Sequence, residues 1–130
     1  MRVLIVDDSE VLVQCLRSSL AEVAGTEIVG QAASAAEGLR QIRKATPDVV
    51  ILDICMPGGS GIEVLEGLRN DQFQPIVIVL SNHSEPQYRK KYLRSGARHF
   101  FDKSAEFHKV AEVLRSLRDA SRSGTEEADQ

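Results

Sequence analysis

The sequence predicts an α/β fold in which one parallel sheet is covered by helices on both faces. Short runs rich in Val and Ile alternate five times with longer segments of helical periodicity, and this alternation is typical of parallel sheets. Hydrophobic residues make up 42% and charged residues 27% of the 130 residues, as in a globular domain with a buried core. In such sheets, the residues that carry chemistry gather beyond the carboxyl ends of the strands.

The apolar runs predict five strands. The uninterrupted "VVIL" within residues 48–53 is typical of a strand buried on both faces. Gly30 and the alanines after it place the second strand at a sheet edge, and Pro75 is tolerated as the first residue of the fourth. The predicted strands are 2–7, 27–33, 48–53, 75–81 and 98–102.

The segments between the strands predict five amphipathic helices. Pro86 near the start and Gly96 after the end bound the fourth helix, and Ser104 is the expected N-cap of the fifth. The predicted helices are 10–23, 35–44, 61–70, 85–95 and 105–118. The polar segment that follows predicts one domain over 1–118 and a flexible tail over 119–130.

Composition excludes several classes of function. The net charge of −3 and the 5% aromatic content favour neither nucleic acid nor an anionic membrane as a direct partner. Cys15 and Cys55 lack the spacing of a zinc site or a disulfide framework. The apolar start is too short for a signal peptide and no run is long enough to span a bilayer, so we expect a soluble, cytoplasmic protein.

Charged and hydroxyl residues end four of the five predicted strands. Asp7 and Asp8 follow the first strand, Asp53 ends the third, Ser81 ends the fourth and Lys103 follows the fifth. Two carboxylates about 5 Å apart repel by roughly 3 kcal/mol at an effective dielectric constant of about 20, and one lysine cannot balance three of them. The cluster therefore predicts a hard divalent cation, Mg²⁺ or Mn²⁺, and the oxygen ligands argue against zinc or copper.

A cation beside a carboxylate, a lysine and a serine is suited to phosphoryl transfer. Asp53 would be the nucleophile that forms an acyl phosphate. The metal and Lys103 would contact phosphoryl oxygens, and Ser81 would donate a hydrogen bond to a third oxygen. Pro57 and Gly58 belong to a loop that would let the backbone approach the metal.

Four motifs, "VDDS", "VVILDICMPGGSG", "VIVLSN" and "GARHFFDKS", together resemble the receiver domain of two-component response regulators, the CheY-like family, over residues 1–118. The resemblance implies a flavodoxin-like sheet of strand order 2-1-3-4-5, dependence on Mg²⁺, and phosphorylation of Asp53 by a histidine kinase or a histidine phosphotransferase. It also implies roles for individual residues: Asp8, Asp53 and the backbone carbonyl of Cys55 as metal ligands, Asp7 acting through a water, Ser81 as switch hydroxyl, Phe100 as switch aromatic, and Lys103 as the family's lysine.

Two positions depart from the family pattern. Asn82 stands where a small residue is common and would restrict access to the phosphoryl group. Ser104 stands where proline in a cis peptide is common, and a cis bond before a non-proline residue costs about 3 kcal/mol. The segment resembles regulators of the NarL type, which often lack that proline.

Two surfaces are candidates for binding partners. The first helix carries more apolar residues than one face needs, since Val11, Val13 and Cys15 cannot all be buried together with its leucines. An exposed apolar patch there would dock a kinase or phosphotransferase. The face built from residues 85–118 would bind an unknown output protein. Its basic residues would steer an acidic partner or form a solvated helix face: Arg89, Lys90, Lys91, Arg94 and Arg98.

The favoured function is therefore a single-domain response regulator, a signalling switch rather than an enzyme, which catalyses only its own phosphorylation and dephosphorylation. One alternative is the receiver part of a DNA-binding regulator, although the sequence shows neither a helix-turn-helix pattern nor global basic charge. A second is a small phosphohydrolase with an aspartyl-phosphate intermediate, which usually has a DxD pattern after the first strand. A flavin-binding module is a third, disfavoured because the carboxylates would repel the flavin phosphate.

Overall fold

The computed structural model describes residues 1–56 and 59–128, with side chains described as far as residue 120. The strands are β1 (Arg2–Val6), β2 (Glu27–Ala32), β3 (Val49–Leu52), β4 (Cys55–Met56), β5 (Gly59–Ser60), β6 (Ile76–Ser81) and β7 (His99–Asp102). The helices are α1 (Glu10–Ala21), α2 (Ala35–Ala45), α3 (Gly61–Leu68), α4 (Pro86–Arg94) and α5 (His108–Ala128). The α/β class and the five main strands are as predicted.

Five strands form one parallel sheet in the order β2-β1-β3-β6-β7. Once the short pair β4 and β5 is set aside, this is the predicted order 2-1-3-4-5. The pair is antiparallel, with Cys55 opposite Ser60, and was not predicted because two-residue strands leave no periodic pattern. The sheet order places the ends of β1, β3 and β6 side by side.

Helices cover both faces of the sheet, and the central strands are apolar on both sides. In β1, Val3 and Ile5 face the core beneath α1 and α5, whereas Leu4 and Val6 face the core beneath α2, α3 and α4. All four residues are fully buried, because successive side chains of a strand point to opposite faces. The continuous apolar runs of the sequence are the consequence.

Helix α5 departs from prediction at both of its ends. Helix α5 begins at His108, so Ser104 is not its N-cap, because Ser104 and Ala105 donate their N–H groups to Asp102 in a separate turn. The backbone of α5 remains helical to Ala128, beyond the predicted end at 118, so the flexible tail over 119–130 stays a prediction.

In α1, Val13 is buried and Val11 and Cys15 are exposed, which leaves an exposed apolar patch as expected.

Two further features of the backbone bear on the site. The peptide between Lys103 and Ser104 is trans, since the described residues contain no cis peptide bond. Pro57 and Gly58, the proposed loop residues, lie outside the described part of the chain. None of the described helices is both long enough and apolar enough to cross a membrane.

Gly61, the first residue of α3, packs against the backbone that carries Asp53. A Cβ at this position would lie 2.6 Å from the Asp53 carbonyl oxygen and 3.0 Å from Ile54 Cα. We expect Gly61→Ala to lower the free energy of unfolding by about 1–3 kcal/mol, because backbone atoms cannot move aside as a side chain can. Urea denaturation measures the change.

Gly67→Ala in the same helix is the matched control. Its Cβ would meet only the end of the Leu39 side chain, which can rotate away, and alanine is a better helix former than glycine by about 0.5–1 kcal/mol. Equal losses for the two variants would contradict the assignment of backbone contact at residue 61.

Candidate functional site

Three carboxylates meet at the carboxyl end of the sheet, after β1 and β3. One oxygen from each of Asp7, Asp8 and Asp53 lies within 4.8 Å of the others. Asp7 and Asp53 are buried, and Asp8 is exposed. Main-chain hydrogen bonds fix the strand ends: Asp7 N–H donates to Ala32 at 2.9 Å and Asp53 N–H donates to Val6 at 2.9 Å. The sheet therefore holds acidic groups together that would separate in water.

Lys103 places one ammonium group between two of these carboxylates. Its Nζ lies 3.1 Å from Asp7 Oδ2 and 3.5 Å from Asp53 Oδ2, and only 14% of its side chain is exposed. The Lys103 N–H donates to the Ser81 carbonyl at 2.9 Å, which anchors the residue to the end of β6. The ammonium of Lys103 is thus paired with two of the three carboxylates of the cluster.

The surroundings of Asp53 make its ionised form less favourable than it is in water. Burial and, secondly, the charge of Asp7 raise the pKa of Asp53 above its ordinary value, whereas Lys103 and the N–H groups of Cys55 and Ile54 act in the opposite direction. The Cys55 N–H lies 3.4 Å from Asp53 Oδ1. Burial and the charge of Asp7 prevail, so the site disfavours the ionised form of Asp53. Because the donor set is all oxygen, the residues fit a hard divalent cation such as Mg²⁺.

Ser81, which bonds to Lys103 at the end of β6, and Phe100, in β7, are both buried. Ser81 is fully buried, and its Oγ accepts a hydrogen bond from the His83 N–H at 2.9 Å, so the hydroxyl keeps its own proton for donation. Phe100 packs on Tyr92 with ring centroids 6.0 Å apart, and the Arg89 guanidinium lies 5.2 Å from the centre of its ring. The aromatic side chain therefore faces the core.

The structure brings together the carboxylates and the lysine that the sequence placed at the strand ends: Asp7, Asp8, Asp53 and Lys103. Cys55 lies in β4, two residues beyond Asp53, and contacts that carboxylate through its N–H. It stays a prediction that the Cys55 carbonyl is a metal ligand and that Ser81 and Phe100 are switch residues. Asn82, which was expected to restrict access to the phosphoryl group, is exposed.

Near Lys103, Asp102 and Glu106 were not singled out from the sequence, and Arg89 was predicted only as part of a basic face. Asp102 and Glu106 accept several hydrogen bonds in the turn between β7 and α5, and Arg89 joins them from α4. An aspartate followed two residues later by serine is a common turn pattern, and this was the available signal. The contribution of Arg89 comes from a distant part of the chain and left no local pattern.

An apolar groove of about 450 Å³ runs beside the acidic cluster, between α1 and the turn that carries Lys103. Val11, which is 76% exposed, forms part of its wall. The groove is lined by Ser9, Val11, Leu12, Cys15, Asn82, Lys103, Ser104 and Phe107. The exposed apolar patch expected on the first helix therefore adjoins the carboxylates.

The family model and the curated relatives that this chain matches all point to response regulators. The model of the response regulator receiver domain matches residues 3–115. The response regulator GacA from Pseudomonas viridiflava is 32% identical over 114 residues, which amount to 88% of this chain and 53% of that protein. The response regulator UvrY from Escherichia coli is 30% identical, with 88% of this chain and 53% of that protein covered. The chain thus spans about half the length of these curated relatives.

Solved structures share the architecture. The signal receiver domain of the response regulator NarL from Mycobacterium tuberculosis has a TM-score of 0.82 at 28% identity, covering 89% of this chain and 94% of that one. A chain of the CheX–CheY–BeF3–Mg²⁺ complex from Borrelia burgdorferi has a TM-score of 0.81 at 31% identity, covering 90% and 88%. The similarity therefore extends over most of this chain in both cases.

The raised pKa of Asp53 predicts how stability depends on pH without added metal. A carboxyl group whose pKa is higher in the folded state than in the unfolded state stabilises the fold when protonated, and this stabilisation is lost as pH rises from 3.8 through the raised folded value. We expect Asp53→Asn to be more stable than the unaltered chain at pH 7, with the difference shrinking as pH falls through the raised pKa of Asp53 and vanishing below pH 3.8. Urea denaturation at a series of pH values measures this.

Glu112→Gln removes one exposed carboxylate of α5 and is the control for net charge. A stabilisation by Glu112→Gln as large as that by Asp53→Asn would show that the effect belongs to overall charge rather than to the buried cluster.

Proposed function

This chain belongs to the response regulator receiver domain family, and from that premise we propose that it accepts a phosphoryl group on Asp53 from a histidine kinase or a histidine phosphotransferase. The observation that carries the proposal is Lys103 Nζ lying between Asp7 and Asp53, 3.1 and 3.5 Å from their oxygens, beside the exposed Asp8. This geometry leaves a rigid carboxylate with a cation already beside it, as a phosphoryl acceptor needs.

In the proposed reaction, a carboxylate oxygen of Asp53 attacks the phosphorus of a phosphohistidine. The new O–P bond forms as the P–N bond breaks, and the leaving imidazole nitrogen keeps the electron pair and takes a proton. Lys103 pairs with the phosphoryl oxygens, and the Ser81 hydroxyl, which is free to donate, contacts another. Positioning and charge neutralisation account for most of the catalysis in such transfers.

Mg²⁺ is the proposed cofactor, and Mn²⁺ fits the same oxygen ligands. By family resemblance, its ligands are Asp8, Asp53 and the Cys55 carbonyl, with Asp7 acting through a water. When bound, the ion neutralises carboxylate and phosphoryl oxygens. The all-oxygen donor set supports this assignment.

Phosphorylation would act as a switch by shifting the balance between two states of the domain. Phe100 faces the core in the present structure, so the phosphoryl group would stabilise this inward arrangement through Ser81. The surface formed by α4, β7 and α5 would then bind or release an output protein. Lys90, Lys91 and Arg94 are exposed there and would favour an acidic partner.

The groove beside α1 is the proposed docking surface for the phosphoryl donor. It adjoins Lys103 and exposes Val11, so a bound donor would lie next to Asp53. In this proposal the chain is a cytoplasmic signalling switch whose chemistry is limited to its own phosphorylation and dephosphorylation.

A second candidate concerns the extent of the protein. The chain spans 53% of GacA, and one structural neighbour at 25% identity is a DNA-binding response regulator of the LuxR family from Staphylococcus aureus. The chain would then be the receiver part of a DNA-binding regulator. The phosphoryl chemistry is the same in both cases, and only the output differs.

Intact-mass measurement after incubation with acetyl phosphate and Mg²⁺ tests the central proposal. We expect the unaltered chain to gain one phosphoryl group and Asp53→Asn to gain none. Lys103→Gln should react about 10²-fold more slowly, because it removes a positioned charge from the transferring group. Asp71→Asn, at the opposite end of the sheet beside Arg43, is the control and should react normally. Phosphorylation of Asp53→Asn at the normal rate would reject the proposal.

Val11→Gln tests the docking surface. With a histidine kinase that phosphorylates the unaltered chain, we expect transfer to slow about tenfold, since one exposed apolar contact in an interface is worth roughly 1–2 kcal/mol. Phosphorylation by acetyl phosphate and the urea midpoint should stay unchanged.

Phe73→Gln is the matched control for Val11→Gln, because Phe73 is 38% exposed and lies beyond α3. If both variants leave kinase transfer unchanged, or if both slow it equally, the groove is not the docking site.

A further inference from the structure

The turn between β7 and α5 is held by the carboxylate of Asp102. Its Oδ1 accepts hydrogen bonds from the Ser104 N–H at 2.9 Å, the Ser104 hydroxyl at 2.7 Å and the Ala105 N–H at 2.9 Å. The hydroxyls of Ser104 and Ser84 contribute most to a pKa of Asp102 far below its ordinary value. The carboxylate therefore stays ionised and keeps these donors at any physiological pH.

Glu106 closes the same turn from the other side. Its Oε1 accepts from the Asp102 N–H at 3.1 Å, and the Glu106 N–H donates to the Asp102 carbonyl at 2.8 Å. Lys109 is 2.9 Å from Oε2 and Arg89 is 3.2 Å from Oε1. These partners, Lys109 first, lower the pKa of Glu106 to about 2.

Lys103 is the residue enclosed by this network. Its N–H is bonded to Ser81, the residue before it is bonded to Glu106, and the residue after it is bonded to Asp102. The lysine side chain is long and flexible, and the turn fixes the backbone from which it starts. A change in the direction of the Lys103 backbone would therefore change how well Nζ reaches Asp7 and Asp53. Helix α5 begins only at His108. The side chains of Asp102 and Glu106 accept N–H groups from residues on both sides of Lys103, and Glu106 also pairs with Lys109 in the first turn of the helix.

We propose that Asp102 and Glu106 are positioning residues for the phosphoryl-transfer site, which fix the Lys103 backbone so that its ammonium lies between Asp7 and Asp53. Neither carboxylate touches the reacting atoms; both act through Lys103. Arg89 of α4 also bonds to Glu106. Glu106 therefore connects the turn that carries Lys103 with the surface proposed for the output partner. This role rests on the proposed function, which makes Lys103 the cation of the reaction.

Asp102→Ala and Asp102→Asn distinguish positioning from general damage. Asparagine keeps an oxygen that accepts from Ser104 and Ala105, whereas alanine leaves these donors unpaired. We expect Asp102→Ala to slow phosphorylation by acetyl phosphate about tenfold, since a small misplacement of a catalytic group has effects of this order. Asp102→Asn should stay within about twofold of the unaltered chain. Glu112→Ala, on the exposed face of α5, is the control for loss of a carboxylate.

Binding of MgCl2 without any phosphoryl donor, measured by calorimetry, gives a readout that a merely structural role would not produce. A displaced Lys103 no longer offsets the charge of Asp7 and Asp53, so Asp102→Ala should bind Mg²⁺ about threefold more tightly. Lys103→Gln should tighten binding in the same way, and Asp102→Ala added to Lys103→Gln should change nothing further. Weaker or unchanged binding by Asp102→Ala, or an undiminished effect in the Lys103→Gln background, would overturn the proposal.

Two further outcomes are separable. If the unaltered chain is not phosphorylated while the changes in Mg²⁺ binding occur as expected, the proposed function fails and the positioning of Lys103 stands. If phosphorylation is normal and Asp102→Ala matches the unaltered chain in both measurements, the positioning role fails and the function stands. Should Asp102→Ala not fold, Ser104→Ala, which removes one hydroxyl donor, should show smaller changes in the same directions, and their absence would reject the proposal.

Discussion

The contact on which the site depends is that of the Lys103 ammonium with the carboxylates of Asp7 and Asp53. Unit charges about 4 Å apart interact by about 4 kcal/mol at an effective dielectric constant of about 20, so one lysine strongly offsets the repulsion between its two partners. It does not offset that of the third carboxylate, Asp8. The remaining negative charge makes the cluster receptive to a further cation, and the rigid sheet prevents the carboxylates from moving apart to relieve it.

Much of this arrangement could be predicted from the sequence because it depends on strand ends. The run before Asp53 is apolar throughout, so its strand had to be buried on both faces, and parallel alternation then placed Asp7, Asp8, Asp53 and Lys103 at one edge. The sheet order followed from family resemblance. Ser81 and Phe100 are both buried, and their switch roles stay predictions.

Other features could not be predicted because they depend on contacts between distant segments. The start of α5 at His108 follows from Asp102 capturing the N–H groups of Ser104 and Ala105, which a helical pattern does not reveal. Arg89 contacts Glu106, Phe100 and the Phe100 carbonyl together, and no local pattern links these residues. Only the packing of α4 against β7 brings them into contact.

The central strands carry apolar side chains on both faces, and this has a consequence for how they align. In a sheet with one solvent-exposed face, a register shift by one residue moves the apolar side chains into water, which is unfavourable. In β1 and β3 both faces are buried, so the same shift would leave these apolar side chains buried. The aspartates that follow Val6 and Leu52 make such a shift unfavourable, because moving the strand inward by one residue would place a carboxylate in the apolar core. The acidic residues at the sheet edge therefore also fix the register in which the strands pair.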